Sequence, residues 1–486
     1  MTIPTNLRVP FVFVEFDSSR AFQGASVLNY KALIIGQRVT AGTKTAGTID
    51  RVSSADRAKQ YYGAGSQLAL MFERWFANNK FTEVYGYAFN DAGGSAAAVG
   101  SLAVTGPATA AGTLYLYIGG KQLQIGVDNT DTATEIGDKI VAAIGSTMCI
   151  TAVNTTGTVA ITARNKGEAG NDIDLRFNYN AGEQFPTGVA VAVTAMSGGT
   201  GNPDMATAIT AMADEWFQII VGPYTDSTNM GKIEDELDDR FGAIRQIDGV
   251  YICSKRADLA ALQSFGGGRN SKQVSCIHSY ACPTPSFEVA AAYAGQVAYE
   301  GSVDPARPFH TLELKGVLPS TYTARMTLAE NNSLLFKGIS TFSVDAAGKV
   351  RIQGAITMYQ RNDAGADDIA YYSMNTRLNL LYLRYDFRTQ ILTRYARAKL
   401  ADDGVQVGPG QQVITPKVGK AEAIAIFRGW EYKGLVENAD QFARDLTCLR
   451  NPSDPNRLDW VLPPDLINQF VVGAAQIQFL LQSPTA

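Results

Sequence analysis

The sequence predicts an α/β fold with a parallel sheet, and residues 216–253 carry most of that expectation. Phe217, Ile219 and Val221 form a short apolar run that stops at Gly222-Pro223. After a polar turn, Ile233, Leu237, Phe241 and Ile244 recur at helical spacing over 230–244. Glu234, Asp235, Asp238 and Asp239 fall on the opposite, solvated side. The chain returns as GVYIC (249–253), a second strand of buried character. Strand, amphipathic helix and strand in so short a span predict a βαβ unit, which requires a parallel sheet. Two further observations agree. ALIIG (32–36) is apolar on both faces, as a central strand must be. Ser66 heads a helix over 66–78 with Leu68, Met71, Trp75 and Phe76 inward.

A length of 486 residues predicts more than one domain and room for a large core. Hydrophobic residues at 46% against 18% charged place the chain among globular proteins of low charge. A net charge of −4 argues against general affinity for nucleic acid or acidic membrane. The cysteines at 149, 253, 276, 282 and 448 are scattered and odd in number, which suits a reduced, intracellular setting. MTIPTNLRVPFVFVEF has neither a basic region nor a sustained apolar one, so no signal peptide is expected. No apolar run approaches the roughly 20 residues of a membrane span. The expectation is a soluble chain made and kept in the cytoplasm, without membrane insertion.

In chain order, VPFVFVEF (9–16) opens as an extended apolar arm within residues 1–25. The α/β core occupies 26–92, where 84–89 supplies another strand, and resumes over 203–322. Between them, 93–202 is rich in Gly, Ala, Thr and Val and reads as an inserted β-rich domain. Leu114, Leu116 and Ile118 alternate with tyrosines, and Gly119-Gly120 turns into Leu123, Ile125 and Val127, a hairpin signature. Thr132-x-x-Glu135 is a capping box for a helix carrying Ile136, Ile140 and Ile144. Strands follow at 150–153, 159–163, 173–179 and 189–193. GGSAAAVG before the block and SGGTGNP after it read as two linkers leaving one place. The core then continues with helices at 204–213, 258–265 and from Ser286, and a strand at 274–277.

A C-terminal α+β domain over 323–464 begins with a helix capped by Thr327-x-x-Glu330. Strands at 342–344 and 350–359 flank a turn at 345–348, and 371–400 reads as one long helix. Pro416 opens a helix toward Trp430, and Asn438 caps a short one with Phe442, Leu446 and Leu449. A proline-rich passage leads to a C-terminal strand within 465–486, with Val471, Ile477, Phe479 and Leu481 on one side.

Catalytic chemistry finds little support. Only His278 and His310 are present, and no Gly-x-Ser-x-Gly elbow or phosphate-binding glycine loop occurs. Cys276, His278 and Cys282, with Cys253 nearby in the predicted sheet, could ligate zinc. Their spacing matches no paired-knuckle pattern, and buried thiols at a strand end are the commoner explanation. The acidic run EDELDD (234–239) reads as a solvated helix face. Arg377, Arg384, Arg388, Arg394 and Arg397 lie along the predicted long helix with Asp386, which favours ion pairing or stem packing over nucleic-acid binding. The expectation is a protein that is no enzyme and holds no metal or cofactor.

The two apolar ends ask for partners, because an isolated strand exposes unpaired N–H and C=O groups. They can pair within their own domain or with neighbouring copies. In its order of parts the chain resembles the contractile-tail sheath proteins of Mu-like bacteriophages. RVPFVFVEF (8–16), TARNKGEAGNDIDLR (162–176), GGTGNPD (198–204), IIVGPYTD (219–226) and DWVLPPDLINQFVVGAAQIQFLL (459–481) carry the match.

The resemblance implies a subtilisin-like core without a catalytic triad, and subunits that polymerise around a tail tube in a metastable extended state. Contraction would drive the tube through the host envelope without nucleotide. The assembly would be a helix or stack of six-fold rings in the virion tail, assembled in the host cytoplasm. Its partners would be copies of itself, the tube protein, the baseplate and the tail terminator, with no direct contact to nucleic acid. Val9, Phe11, Phe13, Val14 and Phe16 of the arm, and Phe470, Val471, Val472, Ile477, Phe479 and Leu481 of the tail, would be inter-subunit strands. Glu437, Asp440, Arg444 and Asp445 would face the tube, and the insertion would face outward. A tail-derived bacteriocin or related injection system would use the same subunit. An α/β hydrolase is the alternative of another class, and a surface adhesin built on the insertion a third, disfavoured by the lack of an export signal.

Overall fold

The computed structural model describes residues 28–481. They divide into two compact units, one from Asn29 to Leu381 joined by the tail from Asn468, the other from Tyr382 to Ile467.

The first unit opens with β1 (Lys31–Gln37), buried at every position after Lys31. It continues through β2 (Ile49–Arg51), α1 (Ala55–Tyr62), α2 (Gln67–Asn78) and β3 (Glu83–Phe89). The Ser66 hydroxyl accepts from the Ala69 N–H and caps α2, as its position predicts. Leu68, Met71 and Trp75 are buried, whereas Phe76 is only half-buried. Sequence reading missed α1, which buries little beyond Ala58 and Tyr62 and so lacks an apolar stripe.

Residues 93–202 form their own two sheets from β4 (Val99–Thr105), β5 (Gly112–Ile118), β6 (Lys121–Val127), β7 (Ile150–Thr155), β8 (Thr158–Ala163), β9 (Leu175–Phe177) and β10 (Ala190–Ser197). One sheet runs β10-β4-β8-β7 and the other β6-β5-β9, all antiparallel. The β5–β6 turn places Gly119 and Gly120 at φ of +55° and +76°, as a two-residue hairpin loop requires. The helix α3 (Ala133–Ala143) starts at the expected capping box of Thr132 and Glu135. Its stem departs from the expected pair of linkers. Ala96 and Thr200 bridge antiparallel, and Asn171 holds both the N–H and the C=O of Gly199.

The chain then lays down α4 (Ala206–Met212), β11 (Ile219–Val221), α5 (Ser227–Phe241), β12 (Val250–Lys255), α6 (Leu259–Gly267), β13 (Val274–His278), α7 (Ser286–Val303), α8 (Leu328–Leu335), β14 (Ile339–Val344), β15 (Val350–Gly354) and α9 (Met374–Tyr395). The main sheet has the order β15-β14-β13-β12-β11-β1-β3-β2. Its six inner strands are parallel, and β15 and β2 close the edges antiparallel. The predicted βαβ unit is present, with Ile219 opposite Val250.

Both faces are covered. Leu33, Ile35, Ile220, Tyr251, Cys253 and Cys276 pack with residues of α4, α5, α6 and α8. On the other face α2 approaches so closely that a Cβ on Gly36 would sit 3.3 Å from Met71 Sδ. There α7, rich in small residues, packs on α2 at Gly295.

Three boundaries differ from expectation. α5 stops at Phe241, where Gly242 caps it, so Ile244 is exposed instead of inward. The sheet takes β14 and β15 from beyond residue 323, because β14 pairs parallel with β13, so the expected boundary there coincides with no break. The helix expected over 371–400 is trimmed at both ends, and Lys399–Leu400 turns into a strand.

The second unit holds the end of α9, then β16 (Lys399–Leu400), β17 (Val413–Ile414), α10 (Pro416–Tyr432), β18 (Val436–Glu437), α11 (Ala439–Asp445), β19 (Thr447–Arg450), β20 (Leu458–Val461) and β21 (Asp465–Leu466). Its strands form three two-stranded pairs, β16 with β17, β18 with β21 and β19 with β20. The core forms on α10, where Phe427 stacks on Phe442 at 4.0 Å between centroids. Gly419 lets β19 and β20 approach, since a Cβ there would meet Cys448 Sγ at 2.9 Å. Asp386 of α9 accepts from Trp430 Nε1 at 2.7 Å. Within each unit the result is mixed α/β.

Candidate assembly surfaces

The tail follows β21 directly. Residues 470–481 adopt no regular secondary structure, and Phe470, Val471, Val472, Ile477, Phe479, Leu480 and Leu481 are each 70–99% exposed. Covering any of these side chains fully would contribute roughly 1.5–3 kcal/mol. The strand expected here is therefore not formed by the subunit alone. Val9, Phe11, Phe13, Val14 and Phe16 of the arm lie outside the described residues.

The expected tube-facing charges sit on β18 and α11. Glu437 pairs in register with Asp465. Asn438 does not cap α11 with its side chain; at φ +65° it turns the chain, and its amide donates to Asp465 Oδ2. Asp440 in the first turn and Arg444 in the last both complement the helix dipole. Asp440, Arg444 and Asp445 are exposed while Phe442 and Leu446 point inward. Leu449 was expected on the same helix but stands exposed on β19.

A third surface was not anticipated. Open α/β sheets hold ligands outside the carboxyl ends of their strands, where the strand order reverses. Here that reversal lies between β1 and β11, and the insertion fills it. Gln37, fully buried at the end of β1, donates its amide to Asp91 Oδ1 at 2.7 Å and to the Lys166 carbonyl at 2.8 Å. Asn165 donates to the Arg38 carbonyl at 2.8 Å and accepts from the Gln67 N–H at the head of α2.

Further along the same edge Arg256 donates to the Asp172 carbonyl and to Asp174, both at 2.9 Å. Ser286, opening α7, donates to the Asp172 carboxylate. Burial raises that carboxyl above its usual range, and the Ser286 bond opposes the shift. All the insertion's partners named here come from TARNKGEAGNDIDLR, whose docking role nothing in its composition disclosed.

The candidate metal and catalytic residues fall elsewhere. Cys253 and Cys276 are register partners inside the apolar core. The Cys276 thiol and burial together push the Cys253 thiol well above its ordinary value. Cys282 is buried beside Arg256 and Arg176, and burial pushes its thiol up to about 12. Among the described residues no group of three His, Cys, Asp or Glu side chains is arranged to hold a metal ion. His278, at the end of β13, stacks on Phe342 with centroids 4.5 Å apart. Burial pushes its imidazole down to about 4, against a smaller upward pull from Asn331.

The arginines of the long helix do not form one stripe. Arg377 is wholly buried, donating to Asp248 at 3.1 Å and to Gln273 at 2.7 Å beneath Phe241. The acidic run is partly spent internally, with Glu236 on Arg240 and Arg245 and Glu234 on Arg269. Among the described residues no helix is long and apolar enough to cross a membrane.

Comparison with known proteins supplies the identity. The phage tail sheath protein central domain matches residues 198–358, and the phage tail sheath C-terminal domain matches 366–479. The Mu-like prophage FluMu tail sheath protein of Haemophilus influenzae is 38% identical over 481 residues, covering 99% of each chain. Among solved structures, the sheath tail protein of Desulfitobacterium hafniense aligns at a TM-score of 0.49 and 13% identity, covering 94% of this chain and 100% of that one. The contracted sheath complex of the extracellular contractile injection system PVC aligns at 0.49 and 9%, covering 98% of each. With 38% identity sustained end to end and both sheath domains in order, the chain belongs to the phage tail sheath family and is a structural sheath subunit.

Proposed function

We propose that the subunit polymerises around a tail tube in an extended, metastable arrangement and contracts to drive the tube through a host envelope. The observation that carries this reading is the tail. A dozen residues as apolar as a core strand stay exposed in the isolated chain, so their burial is left for a neighbour. A strand added to a neighbour's edge leaves a free edge behind it, so the contact propagates as a helix or ring stack instead of closing.

The energy of contraction is then stored in subunit packing, with no nucleotide consumed. The arm at Val9–Phe16 would be the second inter-subunit strand, and the assembly six-fold around its tube, bounded by baseplate and terminator in the virion tail. The doubly covered parallel core fits a subtilisin-like fold that serves as scaffold. Its ligand crevice is filled by Gln37, Asn165 and Lys166, which favours that reading over a hydrolase. The bridged stem at Ala96 and Thr200 suits an outward-facing insertion over 93–202. The second unit, Tyr382 to Ile467, would be the tube-proximal part, with Glu437, Asp440, Arg444 and Asp445 toward the tube. A tail-derived bacteriocin would work the same way.

Electron microscopy of the purified full chain tests the proposal. Hollow cylinders are the expected result; a monodisperse subunit at every concentration and salt would reject it.

A further inference from the structure

The four-stranded sheet of the insertion ends in β10 on one side and β7 on the other. Along an antiparallel strand, alternate residues turn their N–H and C=O groups to opposite sides. The Val104 N–H bonds to the Gly157 carbonyl, on the β8 side of β4. Its neighbours Ala103 and Thr105 therefore hold β10 through Ala192 and Ala190, and the backbone groups of Val191 and Val193 point out of the sheet. By the same parity, the Ala163 N–H on the Ala98 carbonyl turns Ala152 and Asn154 of β7 outward. Among the described residues none of these four has a backbone partner on its outward side.

Natural proteins cover, shorten or charge such edges, because an open ladder invites another strand. The main sheet does so. β15 is bonded along its outer side by residues 311–314, and β2 is only three residues long and carries Asp50 and Arg51. β10 (AVAVTAMS) and β7 (ITAVNT) have neither charge nor proline. The irregularity in β10 comes after Thr194, so Ala190–Thr194 stays in even register. Thr151, Val153, Ala192 and Thr194 stand exposed beside the two edges, and no charge among them repels a second strand.

The strand count sets how two such edges meet. With four antiparallel strands, β10 and β7 run in opposite directions. A second copy placed alongside in the same orientation therefore brings its β7 antiparallel to β10. The contact is head-to-tail and leaves a free edge after each addition, so it suits a row of equivalent subunits.

We propose that β10 of one subunit pairs with β7 of a second copy, joining neighbouring insertions into one antiparallel sheet. This rests on the sheath reading only in that copies stand side by side, and it uses neither the arm nor the tail.

Cross-linking of the full-length chain tests it. The native cysteines are all buried, so a short bis-maleimide reports on thiols introduced by Ala192→Cys and Val153→Cys, both at exposed positions. The double variant should give a ladder of covalent dimers, trimers and longer species. An equimolar mixture of the two single variants should stop at dimers, and either one alone should give none. Adding Thr194→Lys and Thr151→Lys to the double variant sets like charges across the junction and should reduce the ladder severalfold, with circular dichroism confirming the fold. An undiminished ladder from the folded lysine variant overturns the strand pairing. Dimers from Ala192→Cys alone overturn the head-to-tail contact in favour of β10 pairing with itself. Sedimenting polymer without a ladder overturns the edge contact and leaves the sheath mechanism standing. A ladder without sedimenting polymer supports the edge contact and rejects that mechanism, and the absence of both overturns both.

Discussion

β1 and the C-terminal tail are both short apolar segments, and they meet opposite fates. β1 is hydrogen-bonded to β3 on one side and β11 on the other, and helices cover both its faces. The tail, from Phe470 to Leu481, has comparable apolar content but neither ladder nor cover. Apolar pattern therefore specifies that a segment will be buried, while the surrounding chain determines by whom. Changes in the core should act on the stability of the subunit, and changes in the tail on its association.

Deleting residues 468–486 sharpens this contrast most. The Gln469 amide donates to the Ala306 carbonyl at 3.4 Å, ahead of the exposed run from Phe470 to Leu481. The truncated chain should keep its circular dichroism and its urea midpoint but lose sedimentable polymer entirely. Cylinders from the truncated chain, or loss of fold, would place the tail in the subunit's own architecture.

The opposite case is Arg377→Ala. Removing this guanidinium leaves Asp248 in the core without its charged partner, which costs about 3–5 kcal/mol. The expected result is a lower urea midpoint with polymerisation retained wherever the chain is folded. Because well-packed apolar pairs often replace buried ion pairs at little cost, Arg377→Met with Asp248→Leu should recover much of the loss. A double variant no better than the single one would show that Gln273 and Phe241, not Asp248, set the value of this arginine.

Legibility from sequence followed the range of the interaction. Ser66, Thr132 with Glu135, and Thr327 with Glu330 cap helices through contacts three residues apart, and all were readable. Arg377 looked like one of a row of surface cations, because its acceptors are 104 and 129 residues away in sequence. The same limit hid the docking of Asn165 and Asp172 on Arg38 and Ser286. Asn438 carried a valid capping residue type, but its left-handed backbone and the pull of Asp465 send the side chain elsewhere.

His278 tests the carboxyl edge of the core through pH. Its folded pKa of about 4 lies below the ordinary value of 6.5, so the unfolded chain takes up the proton first as pH falls. Stability from this group is intact above about pH 6.5, declines toward pH 4 and falls no further below it. Between pH 7 and 4.5 the native chain should lose roughly 2–3 kcal/mol more than His278→Gln. Urea midpoints of the two proteins at both pH values measure this, with the carboxylates common to both cancelling. Parallel declines would show that the imidazole is better solvated or partnered than its burial against Phe342 implies.

The smallest effect belongs to the charged helix of the second unit. Asp440, Arg444 and Asp445 are exposed on α11, and exposed charge pairs are worth under about 1 kcal/mol each. Exchanging the signs, as Arg444→Asp with Asp445→Arg, should leave the urea midpoint unchanged, because Phe442 and Leu446 hold the helix down from its other side. A pattern repeated on every subunit of a polymer is multiplied by the number of engaged copies, so a weak contact can still select a partner. Assembly on purified tube should therefore weaken, and weaken further with added salt, while tube-free polymers form as before. The two behaviours separate the charged helix from the tail, whose removal abolishes both kinds of polymer. Equal assembly of the exchanged variant with and without tube would move the tube contact away from α11.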